Sequence, residues 1–157
     1  MKIAPIHALI IALVASAPAW AMGTPDPEPK EPKDPKLEQA RAAIDKQDWA
    51  RAQGVLREAV AANPQSAEFH NLYAYSMRKG ANPSMDLVFR HYNEALRIDP
   101  KMRAAHEYIG EAYLMSGNVV KAREHLAQLD KLCSFGCAEY TKLKNEVPSY
   151  EQQHAKK

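Results

Sequence analysis

Residues 103–138, RAAHEYIGEAYLMSGNVVKAREHLAQLDKLCSFGCA, decide the fold. His106, Ile109, Gly110 and Tyr113 recur at i, i+3, i+4 and i+7, which places them on one face of a helix. Gly117-Asn118 breaks that helix. Val119, Ala122 and Leu126 then open a second one, whose apolar stripe can pack back on the first. The unit is a helix–turn–helix, and the chain on its N-terminal side repeats it less cleanly.

The first copy spans residues 37–66. Leu37, Ala40 and Ile44 mark its first helix and Asp48-Trp49 its turn. Ala52, Leu56 and Ala59 mark the second helix, which Asn63-Pro64 ends, because the residue before proline is driven out of the helical region. The second copy spans 67–102, with Ala74 and Met77 on one helix and Val88, Tyr92 and Ala95 on the other. Leu56 to Tyr92, Ala59 to Ala95 and Pro64 to Pro100 are each 36 apart, whereas Tyr92 to Leu126 is 34. The two extra residues belong in the turn Gly80-Ala81-Asn82-Pro83-Ser84, where insertion is cheap, and Ser84 is positioned to cap the helix starting at Met85. The third copy covers 103–136. Tyr140, Leu143 and Val147 keep helical spacing after it, so residues 137–150 form a capping helix over the open end of the array. Residues 151–157 are expected to fray.

The N-terminal part has a different composition. Residues 1–21 place Lys2 before an apolar run that ends in Ala19-Trp20-Ala21, the pattern of a cleaved export signal. Residues 22–36, MGTPDPEPKEPKDPK, carry proline at every second or third position, which excludes helix and favours an extended spacer. The expected location is periplasmic, with no membrane attachment once cleavage after Ala21 has occurred.

Both the recurring pattern and the ending carry a resemblance. The stretches Ala105–Leu114 and Leu132–Leu143 resemble the "HEYIGEAYL" helix and the "LC…GC.EY..L" ending of small secreted tetratricopeptide (TPR) repeat proteins of Gram-negative bacteria. The resemblance covers residues 37–150. It implies an all-α, right-handed TPR superhelix of about three repeats plus a C-terminal cap, acting as a scaffold for other proteins or peptides. It implies no transferable catalytic residue.

Candidate functional residues follow from that geometry. The inner wall of a curved array is built from first helices, and the candidates on that wall are Asn71, Tyr75, Arg78, Glu107 and Glu111. Tyr75 supplies an aromatic anchor. TPR domains that grip a C-terminal carboxylate use Lys, Arg and Asn. This wall keeps Asn71 and Arg78 but sets Glu107 and Glu111 among them, so a basic or mixed peptide suits it better than an acidic tail. A net charge of +2, with acidic and basic residues interleaved, gives no stripe for nucleic acid.

Cys133 and Cys137 lie within disulfide reach in an oxidising compartment. The alternative reading makes them the working pair of a thiol–disulfide or metal-handling accessory protein. His70 and His106 occupy equivalent positions, but no third ligand joins them at metal-site spacing. His91 and His125, on second helices, are expected to be solvated. No HExxH, G-x-S-x-G or phosphate-cradling glycine loop occurs, so the reading includes neither enzyme activity nor cofactor.

Overall fold

A computed structural model describes residues 34–155. The expected export signal and nearly all of the proline-rich segment lie outside these residues. The described chain forms seven helices: α1 (Pro35–Asp45), α2 (Trp49–Ala62), α3 (Ala67–Lys79), α4 (Met85–Ile98), α5 (Arg103–Met115), α6 (Val119–Leu132) and α7 (Ala138–His154).

Local chemistry sets most of the starts. Asp34 accepts hydrogen bonds from the amides of Lys36 and Leu37, with Pro35 in the first turn, so α1 begins two residues earlier than the apolar pattern indicates. Asp48, Ser66 and Asn118 cap α2, α3 and α6 through their side chains. Ser84 stands at the expected capping position of α4, but its hydroxyl makes no capping hydrogen bond. The helix C-terminal to the cysteines runs past Tyr150 to His154, whose ring stacks on Tyr150 with centroids 3.9 Å apart.

The core is three separate clusters, each closed by the first helix of the following unit. Ala40, Ala43, Ala52, Leu56 and Ala59 are completed by Phe69 of α3. Ala74, Met77, Val88 and Tyr92 are completed by Ile109 and Ala112 of α5. Leu114, Ala122 and Leu129 are completed by Leu143 and Val147 of α7. The capping helix therefore takes the place of the first helix of a fourth repeat, packing on both α5 and α6. Removing it would expose the third cluster to water, at a cost of about 25 cal/mol per Å² of apolar surface.

The apolar registers differ slightly from the sequence pattern. In α1 the fully buried pair is Ala40 and Ala43, with Leu37 and Ile44 at the margin. In α6 Leu129 is buried while Leu126 packs from the edge. The small alanines let α1 and α2 approach closely, so burial shifts to the residues nearest the helix contact.

Two glycines inside helices have opposite roles. A Cβ on Gly110 would meet Leu143 Cδ2 at 2.5 Å, so this glycine is what lets α7 dock on α5. A Cβ on Gly54 would meet nothing within 4 Å. Gly54→Ala should therefore gain about 0.5–1 kcal/mol from helix propensity alone, read as a higher midpoint in urea unfolding. An unchanged or lower midpoint would mean that α2 needs the glycine for a reason other than space.

Candidate partner-binding groove

Arg78, in the last turn of α3, points across to α5, where its guanidinium pairs with the Glu111 carboxylate. Its Nε also donates to the Tyr92 hydroxyl at 3.4 Å, and Nη1 lies 3.6 Å from the Met115 sulfur. Lys142 comes from α7 and joins the same Glu111, and it reaches Glu107 at 2.7 Å. The result is a continuous charge relay across three consecutive first helices: Arg78, Glu111, Lys142, Glu107.

Burial and pairing compete at each member. Burial works against the Arg78 charge, but the Tyr92 hydroxyl and the Glu111 carboxylate outweigh it, and its pKa is raised. Lys142 is raised likewise, its contacts to Glu107 and Glu111 exceeding the desolvation cost. Burial pushes Glu111 up, yet Lys142 and Arg78 hold it below the usual carboxylate range. At Glu107 burial wins over Lys142, and the pKa rises. Tyr92, fully buried, is pushed up mainly by desolvation.

The five candidate residues are brought to one wall, as the repeat geometry required, but four of them are not presented to solvent. Asn71, Arg78, Glu107 and Glu111 are 4%, 5%, 7% and 9% exposed. Helical phase alone leaves this wall open, whereas α7 brings Lys142 onto Glu107 and Glu111 and the Tyr75 and Tyr108 rings lie beside Arg78. The charges neutralise one another and form the floor of the groove. Asn71 Oδ1 is buried and has no hydrogen-bond partner among the described residues. Tyr75 stays half-buried in an aromatic row, 6.0 Å from the Trp49 ring and 4.7 Å from Tyr108, with the Arg78 guanidinium 5.6 Å from its centroid.

Above this floor a cavity of about 690 Å³ opens between α3, α5 and α7. Its walls include Lys79, Leu114, Met115, Glu146 and Tyr150. Met115 is 57% exposed there, a large apolar side chain that nothing covers. Glu146 is raised by burial first and then by the Glu111 charge. The α7 side of this wall is not legible in the sequence, because α7 reads only as a cap. Treating its polar positions as those of a fourth first helix would have found Lys142 and Glu146.

The sulfurs of Cys133 and Cys137 are 2.07 Å apart. The turn between them is closed by the Gly136 amide donating to the Cys133 carbonyl at 2.9 Å, with Gly136 at φ +82°, a region a side chain would strain. Among the described residues no group of three or more His, Cys, Asp or Glu is placed to hold a metal ion.

The histidines depart from expectation. His91 and His125 are not free in solvent. His70 Nδ1 lies 2.9 Å from His91 Nδ1, and His106 Nδ1 lies 3.0 Å from His125 Nδ1. Packing of second helix on first helix within a repeat creates both contacts. A signal did exist in the sequence: His70 and His106 are 36 apart, and His91 and His125 keep the 34-residue register of Tyr92 and Leu126.

Residues 37–80 and 90–136 match the tetratricopeptide repeat family. This chain belongs to that family. Among curated protein sequences none matches it. The TPR fold is shared with the type III secretion translocator chaperone SycD of Yersinia enterocolitica, at 13% identity and a TM-score of 0.67, covering 75% of this chain and 82% of SycD. It is shared with the TPR2B domain of yeast Sti1, solved in a complex with pHsp70, at 18% identity and a TM-score of 0.67, covering 76% and 98%. The TPR domain of Arabidopsis OM64 is similar at 17% identity and a TM-score of 0.64, covering 73% and 92%. SycD has also been solved with a peptide of the translocator YopD, at 16% identity and a TM-score of 0.62, covering 75% and 88%. The described residues of this TPR protein form an all-α superhelix.

Proposed function

We propose that this TPR protein is an exported adaptor that holds an extended segment of a partner protein in its concave groove. The carrying observation is the cavity between α3, α5 and α7, with exposed Met115 and half-buried Tyr150 beside Lys79 and Glu146 on a floor of internally neutralised charge. A neutral, rigid floor orients the segment, while the free charges of the rim select for mixed sequence. Tyr75 and Tyr108 extend the apolar strip toward α1. The TPR neighbours solved with bound peptides support a segment as ligand. Residues 1–21 carry the export reading, which places the protein in the periplasm of a Gram-negative cell, and the Cys133–Cys137 pair suits an oxidising compartment. Catalysis forms no part of this function.

Selection of peptides from a random display library against the purified domain tests the groove. Selected peptides should bind at least about tenfold more weakly to Met115→Glu, the loss expected of one buried apolar anchor. A selection yielding no binder, or binders indifferent to Met115→Glu and Glu146→Lys alike, would remove the groove from the function. Mass spectrometry of the native protein should find a mature N-terminus at Met22. An intact Met1 would refute export by cleavage.

A further inference from the structure

The two histidine contacts are built alike. In each, the first-helix histidine places Nε2 on the carbonyl of the proline that closes the preceding repeat: His70 on Pro64 at 3.1 Å, His106 on Pro100 at 3.0 Å. A carbonyl only accepts, so this nitrogen carries the hydrogen and Nδ1 of the same ring is a bare acceptor. The facing Nδ1 of His91 or His125 must then be the donor. One added proton is tolerated, because a charged first-helix ring can donate from Nδ1 to a neutral facing ring, but a second leaves no acceptor between the rings. A metal ion between the rings is disfavoured, since bonds of about 2 Å to each nitrogen need a wider gap at any tetrahedral or larger angle.

We infer that the two pairs are acid-sensitive fastenings, each tying a first helix, its second helix and the preceding repeat together, and releasing when both rings of a pair become charged. Double protonation would put two N–H groups head to head across 2.9–3.0 Å, with two positive charges behind them. The rings must then separate, and the joints between repeats one and two and between repeats two and three loosen together.

The surroundings oppose charge at the second-helix rings. His91 is held below its ordinary range by burial, by His70 and by Arg90 of α4, against a partial pull from Glu94, which is itself held by Arg97. His125 is depressed from 6.5 to about 4 by burial, by His106 and by Lys121 of α6. Tyr73 and Tyr113 of α3 and α5 cover these two rings, with centroids 4.8 and 5.7 Å away. A histidine whose folded pKa is depressed stabilises the fold fully above its ordinary value. That contribution is lost as pH falls from about 6.5 toward about 4. By this linkage, His125 alone lowers the folding constant up to about twentyfold between pH 7 and pH 5. The inference is independent of what the groove binds.

The test is urea unfolding at pH 7 and pH 5 of the wild type and of His91→Gln/His125→Gln. The glutamine amide can still donate to the facing Nδ1 and cannot be protonated. The wild type should lose at least about tenfold more of its folding constant than the variant over this interval. Equal losses would overturn the inference. Imidazole nitrogen NMR of the wild type gives an answer even if the variant does not fold. Neutral His91 and His125 with hydrogen on Nδ1 at pH 5, beside His70 and His106 with hydrogen on Nε2, support it. His91 and His125 already charged at pH 6 in the folded protein refute it.

Discussion

Arg78→Ala should destabilise the protein by about 3 kcal/mol at pH 7, the range expected when one partner of a buried ion pair is removed. The loss has two parts. Glu111 stays buried with only Lys142 to neutralise it, and the Tyr75 and Tyr108 rings and the Met115 sulfur lose the guanidinium packed against them. Arg78→Met with Glu111→Leu should cost far less, because an apolar replacement of the whole pair leaves no uncompensated charge. The pH dependence has a definite sign. Glu111 is held below the usual carboxylate range, so its stabilising contribution is present above that range and is lost as pH falls through its folded pKa. The penalty of Arg78→Ala should therefore shrink in acid. Urea unfolding at pH 7 and pH 3.5 checks both statements, and a penalty that grew in acid would contradict the pairing.

The second large effect is at the α5–α7 contact. Leu143→Ala should cost about 2–5 kcal/mol, as a fully buried leucine is replaced by a hole. Gly110→Ala should cost about 1–3 kcal/mol by overpacking, reversing the usual gain of alanine over glycine in a helix, since its Cβ would strike Leu143. The two changes together should cost less than their sum, because the new methyl enters the space the leucine left. A double-mutant cycle in urea measures that coupling. Strict additivity would mean that α7 is not seated on Gly110.

Repeat spacing made the fold readable. Leu56, Tyr92, Pro64 and Pro100 mark a period, and a period of paired amphipathic helices admits few architectures. Gly110 was readable as a member of the packing face of its helix, without its partner Leu143. The candidate groove was only half readable. Its wall could be assigned from helical phase, but whether Glu107 and Glu111 face water depends on a lysine 35 residues beyond Glu107, on a helix recognised only as a lid. Phase along one helix says which residues share a side, and not which side chains from other helices reach over them. The same limit applied to His91 and His125, polar residues that a single helix would place in solvent.

Stiffness is distributed unevenly along the array as a result. The buried Arg78–Glu111 pair braces α3 against α5, and half-exposed Lys142 ties α7 to two buried carboxylates, whereas the corresponding link from α1 to α3 is the Arg41–Glu68 pair, water-exposed on both sides, of a kind that contributes little. An elastic bend should concentrate in the first repeat, leaving the C-terminal half to behave as a fixed template and the N-terminal half as a compliant arm.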